Sequence, residues 1–139
     1  SEFAIEGKKE WGSDWPLRPC LELDDFKDAL TTNPVTSVYA ALGQLKAACP
    51  ELTWGEVKEL QLTTQCYAFA RVLDGKAVVA VFNNGDSPAQ LEFQLPVEAT
   101  GAEDLLADCV GSQPILTEIE WGRMKVQLSS NYATLLRLK

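Results

Sequence analysis

An acid and a base stand four residues apart near the N-terminus, in a short segment stiffened by proline. Asp14 and Arg18 lie in the sequence SDWPLRP, where Pro16 and Pro19 fix their own φ angles and bias the preceding residues away from helix. A carboxylate and a guanidinium in a set orientation offer a charge-assisted acceptor and donor, which suits the vicinal hydroxyls of a sugar. The alternative is a local ion pair that closes the loop, which contributes little at a surface.

The residues needed for several common catalytic and metal sites are missing. There is no histidine, which excludes Ser–His and Cys–His nucleophile pairs and every metal site that needs an imidazole. The cysteines show no C-x-x-C spacing, so we expect no zinc site; they permit two disulfides, but scattered thiols are usually small buried residues. They are Cys20, Cys49, Cys66 and Cys109. We therefore expect neither a metal nor a cofactor.

The charge and hydropathy of the chain restrict its partners. The formal net charge is −8 and no basic cluster is present, which argues against nucleic acids and anionic membranes. No apolar run approaches the roughly 20 residues that a membrane-spanning helix needs. The N-terminus lacks a signal-peptide pattern, which slightly favours the cytoplasm over secretion. Because the first residue is Ser1 and the sole methionine is Met124, removal of an initiator methionine and excision from a longer protein both stay open.

Residues 1–34 are predicted to form a long ordered loop. Their bulky aromatic residues are Phe3, Trp11 and Trp15. Asp24 or Asp25 can cap a short helix through Leu30, but the segment has too few apolar residues for a core of its own. We therefore expect it to need another surface to pack against.

Residues 35–49 predict one helix of several turns. Their apolar residues recur at intervals of four, three and four, which places them on one helical face. They are Val38, Leu42, Leu45 and Cys49. Thr36 or Ser37 can cap the start, and Pro50 ends the helix. Such a helix is expected to lie on a larger surface.

From residue 57 onward the apolar period changes to two, which is typical of strands. The segments are VKELQLT, CYAFARVL, KAVVAVFN, QLEFQLP, ILTEIEW, MKVQLS and ATLLRLK. Asp74-Gly75, Asn83–Asp86 and Trp121-Gly122 predict hairpin turns. Short strands at this spacing predict an antiparallel sandwich or barrel of seven or eight strands.

The other carboxylates do not form a recognisable catalytic pair. Glycoside hydrolysis needs two carboxylates about 5 to 9 Å apart across the scissile bond. Asp104 and Asp108 flank two leucines, and we expect them in a turn rather than in a catalytic dyad. The remaining acids occur mostly in runs typical of a solvated face, such as Glu22, Asp24, Asp25 and Asp28.

Four aromatic residues in the strands admit two interpretations. Tyr67 and Phe69 share one face of a strand, and Phe82 and Phe93 lie on neighbouring strands. A carbohydrate-binding module would expose them for stacking on sugar rings, whereas a sandwich would bury them in its core. At a period of two, core packing is the better account.

Three blocks of the sequence resemble, in order, the C-terminal part of family 13 of the glycoside hydrolases, the α-amylase family. SEFAIEG followed by SDWPLRP resembles the segment after the eighth strand of the family's barrel, although Ala4 stands where the family often has glycine. Ala48–Leu52 resembles the end of the last barrel helix, before a glycine such as Gly55. The stretch CYAFARVLDGKAVVAVFNNGDSPAQLEFQLP resembles the first hairpins of the C-terminal Greek-key sandwich, and Tyr132–Leu138 resembles its end.

The resemblance implies an all-β antiparallel Greek-key sandwich over residues 57–139. Residues 1–56 would be the loop and the one α-helix left from a TIM barrel. The family's nucleophile Asp, acid–base Glu and third Asp lie on earlier barrel strands, so the chain would have no catalytic residue and be inactive by itself. Asp14 and Arg18 match the neopullulanase and cyclomaltodextrinase branch, in which that pair contacts sugar on the non-reducing side of the scissile bond.

The resemblance implies that the chain is the C-terminal part of a longer enzyme, which we call the parent enzyme. The implied partners are an α-glucan oligosaccharide bound by the parent enzyme and the missing catalytic barrel, whose flank the sandwich would cover. The parent would hydrolyse α-glucosidic bonds in starch-type glucans. A homo-oligomer formed through the exposed N-terminal segment stays open. Two other functions also stay open: an independent carbohydrate-binding module and a protein-interaction sandwich.

Overall fold

The computed structural model describes residues 3–8, 11–17 and 20–139, except for the side chains of Pro16 and Asp108. The chain divides into two compact units, Ser1–Gly43 and Gln44–Lys139. The domain boundary that we predict between residues 56 and 57 stays a prediction. No helix in the described part of the chain is long and apolar enough to span a membrane.

The first unit contains short helical turns instead of the single short helix predicted through Leu30. A 3-10 helix covers Leu23–Phe26, and helix α1 covers Ala29–Thr32. The hydroxyls of Thr31 and Thr32 donate to the carbonyl of Asp28 at 3.0 and 2.9 Å, a local bond that competes with longer helices. Asp28, rather than Asp24 or Asp25, therefore stands at the start of α1.

Helix α2 covers Pro34–Ala48, close to the predicted range. Its start is capped by Asn33, whose Oδ1 accepts from the backbone nitrogens of Val35 and Thr36 at 3.0 and 3.3 Å, and not by Thr36 or Ser37. The buried side chains of α2 and of the residue that follows it are Ala41, Leu45 and Cys49. Leu42 is 39% exposed, so the predicted apolar face was wrong at that position. Pro50 begins the next helix, α3, Pro50–Trp54.

The second unit is a sandwich of eight strands. The strands are β1 Glu56–Leu62, β2 Cys66–Leu73, β3 Lys76–Asn83, β4 Ala89–Gln94, β5 Ala102–Asp104, β6 Thr117–Glu120, β7 Arg123–Leu128 and β8 Tyr132–Leu138. A large sheet has the order β1-β2-β3-β8-β5, and a small sheet has the order β4-β7-β6. Neighbouring strands are antiparallel in both sheets, which confirms the predicted all-β sandwich.

Two of the predicted hairpin turns are confirmed and one is wrong. Asp74-Gly75 joins β2 to β3 and Trp121-Gly122 joins β6 to β7, with positive φ at each of these residues. Asn83–Asp86 instead carries the chain from the large sheet to the small one. The Asn83 side chain, 3% exposed, donates to the carbonyls of Ser87 and Ser129 at 2.9 and 2.8 Å and so holds this crossover.

Strand β5 and helix α4, Leu105–Val110, were not predicted. Asp104 was expected in a turn, but its buried side chain caps α4 by accepting from the nitrogen of Ala107 at 3.0 Å. The same carboxylate accepts from the nitrogen of Ile115 at 3.2 Å and from the hydroxyl of Thr134. Asp104 thus ties α4, the following loop and β8 together, which is a structural role. The side chain of Asp108 lies outside the described residues.

Small residues of the large sheet face large residues of the small sheet in the core. The large sheet contributes Ala68 and Ala70, and the small sheet contributes Leu91, Phe93 and Met124. All of these are at most 2% exposed, so the alanines leave the space that the larger side chains fill. The four cysteines are free thiols.

Candidate functional site

Asp14 lies in a tightly folded loop of the first unit. Gly12 has a φ of 78°, and a 3-10 helix covers Trp15–Leu17. The hydroxyl of Ser13 accepts from the nitrogen of Trp15 at 3.3 Å, and the carbonyl of Asp14 accepts from the nitrogen of Leu17 at 3.0 Å. The loop is therefore ordered by its own bonds, and it presents the exposed Asp14 side chain at the start of a helical turn.

Arg18 and Pro19 lie outside the described residues, so the geometry of the predicted Asp14–Arg18 pair stays a prediction. Of the aromatic residues in this unit, Phe3 packs against Phe26 with ring centroids 4.5 Å apart and the ring planes tilted by 37°. Trp11 and Trp15 are 103% and 81% exposed.

An apolar face lies on the outer side of the large sheet, opposite the core; we define it as Leu62, Tyr67, Phe69 and Phe82. Strand register places Leu62 beside Tyr67 and Tyr67 beside Phe82. The ring centroid of Tyr67 lies 5.4 Å from that of Phe69 and 6.4 Å from that of Phe82, and the centroids of Phe69 and Phe82 lie 6.1 Å apart. Leu62 is 65% exposed and Phe82 is 38% exposed.

This arrangement corrects the assignment of the strand aromatics to the core. Tyr67, Phe69 and Phe82 point away from the core because the alternate residues Cys66, Ala68 and Ala70 face it. Of the four aromatic residues considered in the sequence, Phe93, at 2% exposure, is the one that lies in the core. The signal in the sequence was that CYAFA has no polar positions, so both faces of this strand are apolar.

A neighbouring part of the same outer side is covered by helix. Leu45 of α2 and Cys49 pack with Val78 of β3, which is fully buried, and with Leu135. Arg71 on β2 donates from Nε to the carbonyl of Glu51 at 3.4 Å and from Nη2 to that of Thr53 at 3.3 Å, which anchors α3.

Close approach of backbones explains the glycine that follows α3. A Cβ atom on Gly55 would lie 2.5 Å from the carbonyl oxygen of Glu51 and 2.9 Å from the nitrogen of Val72. No other residue fits without moving backbone, so Gly55 lets α3 sit directly on β2. The outer side of the large sheet thus allows a helix to lie directly against its backbone at this point.

The outer side of the small sheet is a charged face; we define it as Glu92, Glu118, Glu120, Trp121, Arg123 and Lys125. These residues line a groove of about 190 Å³. Arg123 Nε and Glu92 Oε1 form an ion pair at 3.0 Å, with about half of the arginine side chain exposed. A wider cavity of about 580 Å³ near the other end of the strands includes Gln90 and Gln127 in its lining.

The described residues hold no cluster of metal-ligating side chains: no three His, Cys, Asp or Glu side chains lie together where they could bind an ion. Among the carboxyl groups that the structure describes, one has a clearly shifted pKa. A hydrogen bond from Lys139, at 2.9 Å, together with its charge, lowers the pKa of Glu103 below its ordinary value, with a smaller contribution from Arg137. This pair lies at the β5 edge of the large sheet.

Comparison with solved structures identifies the fold. The chain matches an Anoxybacillus alpha-amylase with a TM-score of 0.76 at 22% identity, over 99% of this chain and 27% of that one. The sandwich has the fold of an amylase C-terminal domain. A cyclomaltodextrin glucanotransferase matches at TM-score 0.70 and 17% identity, over 92% of this chain and 26% of that one. A Nostoc punctiforme debranching enzyme matches with a TM-score of 0.63 at 19% identity, over 81% of this chain and 23% of that one.

The chain therefore spans about a quarter of the length of these structures. At such identities the likeness concerns the fold. No protein-family model matches the sequence, and no curated protein matches it either.

Proposed function

We propose that this chain is the C-terminal part of an α-amylase family glycoside hydrolase, which acts on α-glucosidic bonds in starch-type glucans. The observation that carries the proposal is the match to the alpha-amylase over 99% of this chain and 27% of that one. A match that uses almost all of the shorter chain, and only about a quarter of the longer one, fits a part of such an enzyme. The three sequence blocks that resemble the family support the same assignment.

In this proposal the sandwich is structural, and its apolar face packs on the catalytic barrel. Leu62 and Phe82 are 65% and 38% exposed and adjoin two further aromatic rings, and contiguous apolar surface of this kind marks an interface. The helix-covered area around Val78 shows that the same outer side accepts apolar partners. The chain by itself has no turnover, because the catalytic carboxylates of the family belong to the barrel.

The loop around Asp14 supplies a sugar contact in the parent enzyme, in the manner of the neopullulanase branch. Two or three hydrogen bonds at an open site, each worth about 1 kcal/mol net, do not offset the roughly 4 kcal/mol or more that association costs. The pair formed with Arg18 therefore binds glucan only together with groups of the barrel. Alanine at Asp14 or Arg18 in the parent raises KM for long maltodextrins more than it lowers kcat. An unchanged KM would leave the pair as a loop-closing ion pair.

Two measurements test the assignment. The coding sequence upstream of Ser1 should encode a (β/α)8 barrel with the three catalytic carboxylates of the family. A reading frame that lacks a barrel contradicts the proposal and favours an independent carbohydrate-binding module. The isolated chain should release no reducing sugar from starch, pullulan or cyclodextrin over hours at high protein concentration, and turnover that a point substitution in this chain abolishes would equally contradict it.

Without the barrel, the exposed tryptophans of the first unit provide a surface for self-association. Trp11 and Trp15 are 103% and 81% exposed. We propose that the isolated chain forms a homo-oligomer through this segment at high concentration. Sedimentation of the Trp11→Ser, Trp15→Ser double variant, which should remain monomeric, tests this partner separately from the barrel.

A further inference from the structure

Trp121 occupies a backbone position that does not suit it and gains no burial there. It is the first of two positive-φ residues in the turn between β6 and β7, with φ of 52° followed by 72° at Gly122. The equivalent position in the turn between β2 and β3 is Asp74, a residue type that tolerates this conformation. Trp121 is 96% exposed, so packing within this chain does not explain its presence.

The side chains beside Trp121 form a groove of nearly balanced charge. Cross-strand register places Lys125 between Glu92 and Glu118, and Arg123 between Gln94 and Glu120. Three carboxylates and two cations next to one another favour neither a strong anion nor a strong cation. They offer hydrogen-bond donors and acceptors in alternation, which suits a neutral ligand with many hydroxyl groups.

The groove is one end of a longer polar surface. Its volume, about 190 Å³, is below the roughly 300 Å³ at which pockets for drug-sized ligands begin, so it fits one sugar ring and not a whole oligosaccharide. The outward residues of β7 continue from Arg123 through Lys125 to Gln127, which lies beside Gln90 and lines the 580 Å³ cavity. A ligand that uses both ends is therefore extended along the strand.

We propose that the charged face binds an α-glucan chain, with the Trp121 ring stacked on one sugar and Glu118, Glu120 and Arg123 hydrogen-bonded to its hydroxyls. The C–H groups on one side of a pyranose ring meet the electron-rich face of an indole, which is a favourable contact. The choice of an α-glucan rests on the proposed function, whereas the position of the site rests on the geometry of the small sheet. The site holds glucan near the enzyme and takes no part in bond cleavage.

The test of this site is a titration of the isolated chain with maltoheptaose. Binding is measured by isothermal titration calorimetry and by changes in amide chemical shifts. Trp121→Ala should weaken binding at least tenfold, and Glu118→Gln about threefold. Trp54→Ala is the matched control, because Trp54 is also exposed, at 77%, but lies on α3 away from the charged face. Shift changes on β6 and β7 in the native chain, and their loss in Trp121→Ala with the rest of the spectrum unchanged, would support the proposal.

Three results would overturn it. If the unsubstituted chain binds no maltoheptaose at millimolar concentration, the charged face is not a glucan-binding site. The upstream coding sequence then still tests the proposed function independently. Equal weakening by Trp54→Ala and Trp121→Ala shows that binding lies elsewhere. Cellohexaose bound as tightly as maltoheptaose shows that the ligand is not specifically an α-glucan, even where Trp121→Ala abolishes both.

Discussion

The two outer faces of the sandwich cover one core and present opposite chemistry. The apolar face on the large sheet carries Leu62 and three aromatic rings, and the charged residue next to it is Glu59, which lies beside Phe69 in the strand register. The charged face on the small sheet carries five ionisable residues and one exposed tryptophan. A face that no domain covers needs polar side chains for solubility, whereas a face that packs on another domain does not. For the proposed parent enzyme, we therefore expect the barrel to cover the apolar face.

The central strands of the two sheets show the same difference in their burial patterns. On β3, Ala77 through Val81 are all buried, as expected for a strand covered on both sides. On β7, buried and exposed residues alternate along the strand, as expected for one covered on a single side. The patterns KAVVAVFN and RMKVQL already differ in this way in the sequence.

The largest effect separates Phe93, which the small sheet contributes to the core, from Phe82 on the apolar face of the large sheet. Phe93 is 2% exposed between the sheets, and its replacement by alanine should cost about 3–5 kcal/mol of unfolding free energy. Phe82 is 38% exposed, so Phe82→Ala should cost only about 1 kcal/mol in the isolated chain. Urea unfolding of both variants checks this. Equal losses would mean that the apolar face is already packed as tightly as the core.

A substitution of Leu62 tests whether the apolar face is covered in the parent enzyme. Leu62→Glu should change the stability of the isolated chain by less than about 0.5 kcal/mol, since the side chain is 65% exposed. In the parent enzyme the same change should cost about 2 kcal/mol or more, because the barrel would bury an unpaired carboxylate. Gln90→Glu on the outer side of the small sheet adds the same charge and is the control. A loss at Leu62 that is equal in both contexts would place the barrel elsewhere.

A smaller effect of opposite sign is expected at the turn of the charged face. Trp121→Asn should stabilise the chain by about 0.5–1 kcal/mol, because asparagine tolerates positive φ better than tryptophan does. The same variant should lose affinity for maltoheptaose. Asp74→Asn, in the corresponding turn of the large sheet, should leave stability nearly unchanged and serves as the control. A destabilised Trp121→Asn variant, measured by urea unfolding, would show that the indole packs on its surroundings after all.

Seven of the eight strands were predictable because their signals are local, whereas the three-residue strand β5 was not predicted. β2 and β3 match their predicted segments, and both two-residue turns carry glycine at the second position. The crossover at Asn83 was mistaken for a hairpin because its turn residues are typical of either connection. Which connection forms depends on Ser129, 46 residues away, whose carbonyl accepts from the Asn83 side chain. Single-sequence patterns do not contain that distant contact.

The sites were less predictable than the fold for a related reason. Tyr67 and Phe69 were assigned to the core because core packing is the usual account of aromatic residues that recur at a period of two. The facing side chains Leu91 and Met124 already fill that space, so alanines face them and the aromatics turn outward. Trp121 was recognised only as part of a turn, although a bulky residue at a position that favours Asn or Asp was the available signal. The Asp14–Arg18 prediction is untested.

The smallest effect concerns the ion pair at the β5 edge of the large sheet, compared with a lysine on the charged face. Lys139 donates to Glu103 at 2.9 Å and lowers the pKa of that carboxyl. The contribution of this pair to stability is therefore complete above the unfolded-state pKa of the carboxyl and is lost as the pH falls through the lowered folded-state value. Lys139→Met should raise the pKa of Glu103 toward its ordinary value, which carboxyl-carbon NMR titration measures. Lys125→Met, on the other face, should leave that pKa unchanged, whereas an equal shift in both variants would mean that the net charge of the chain, rather than the hydrogen bond, sets the pKa.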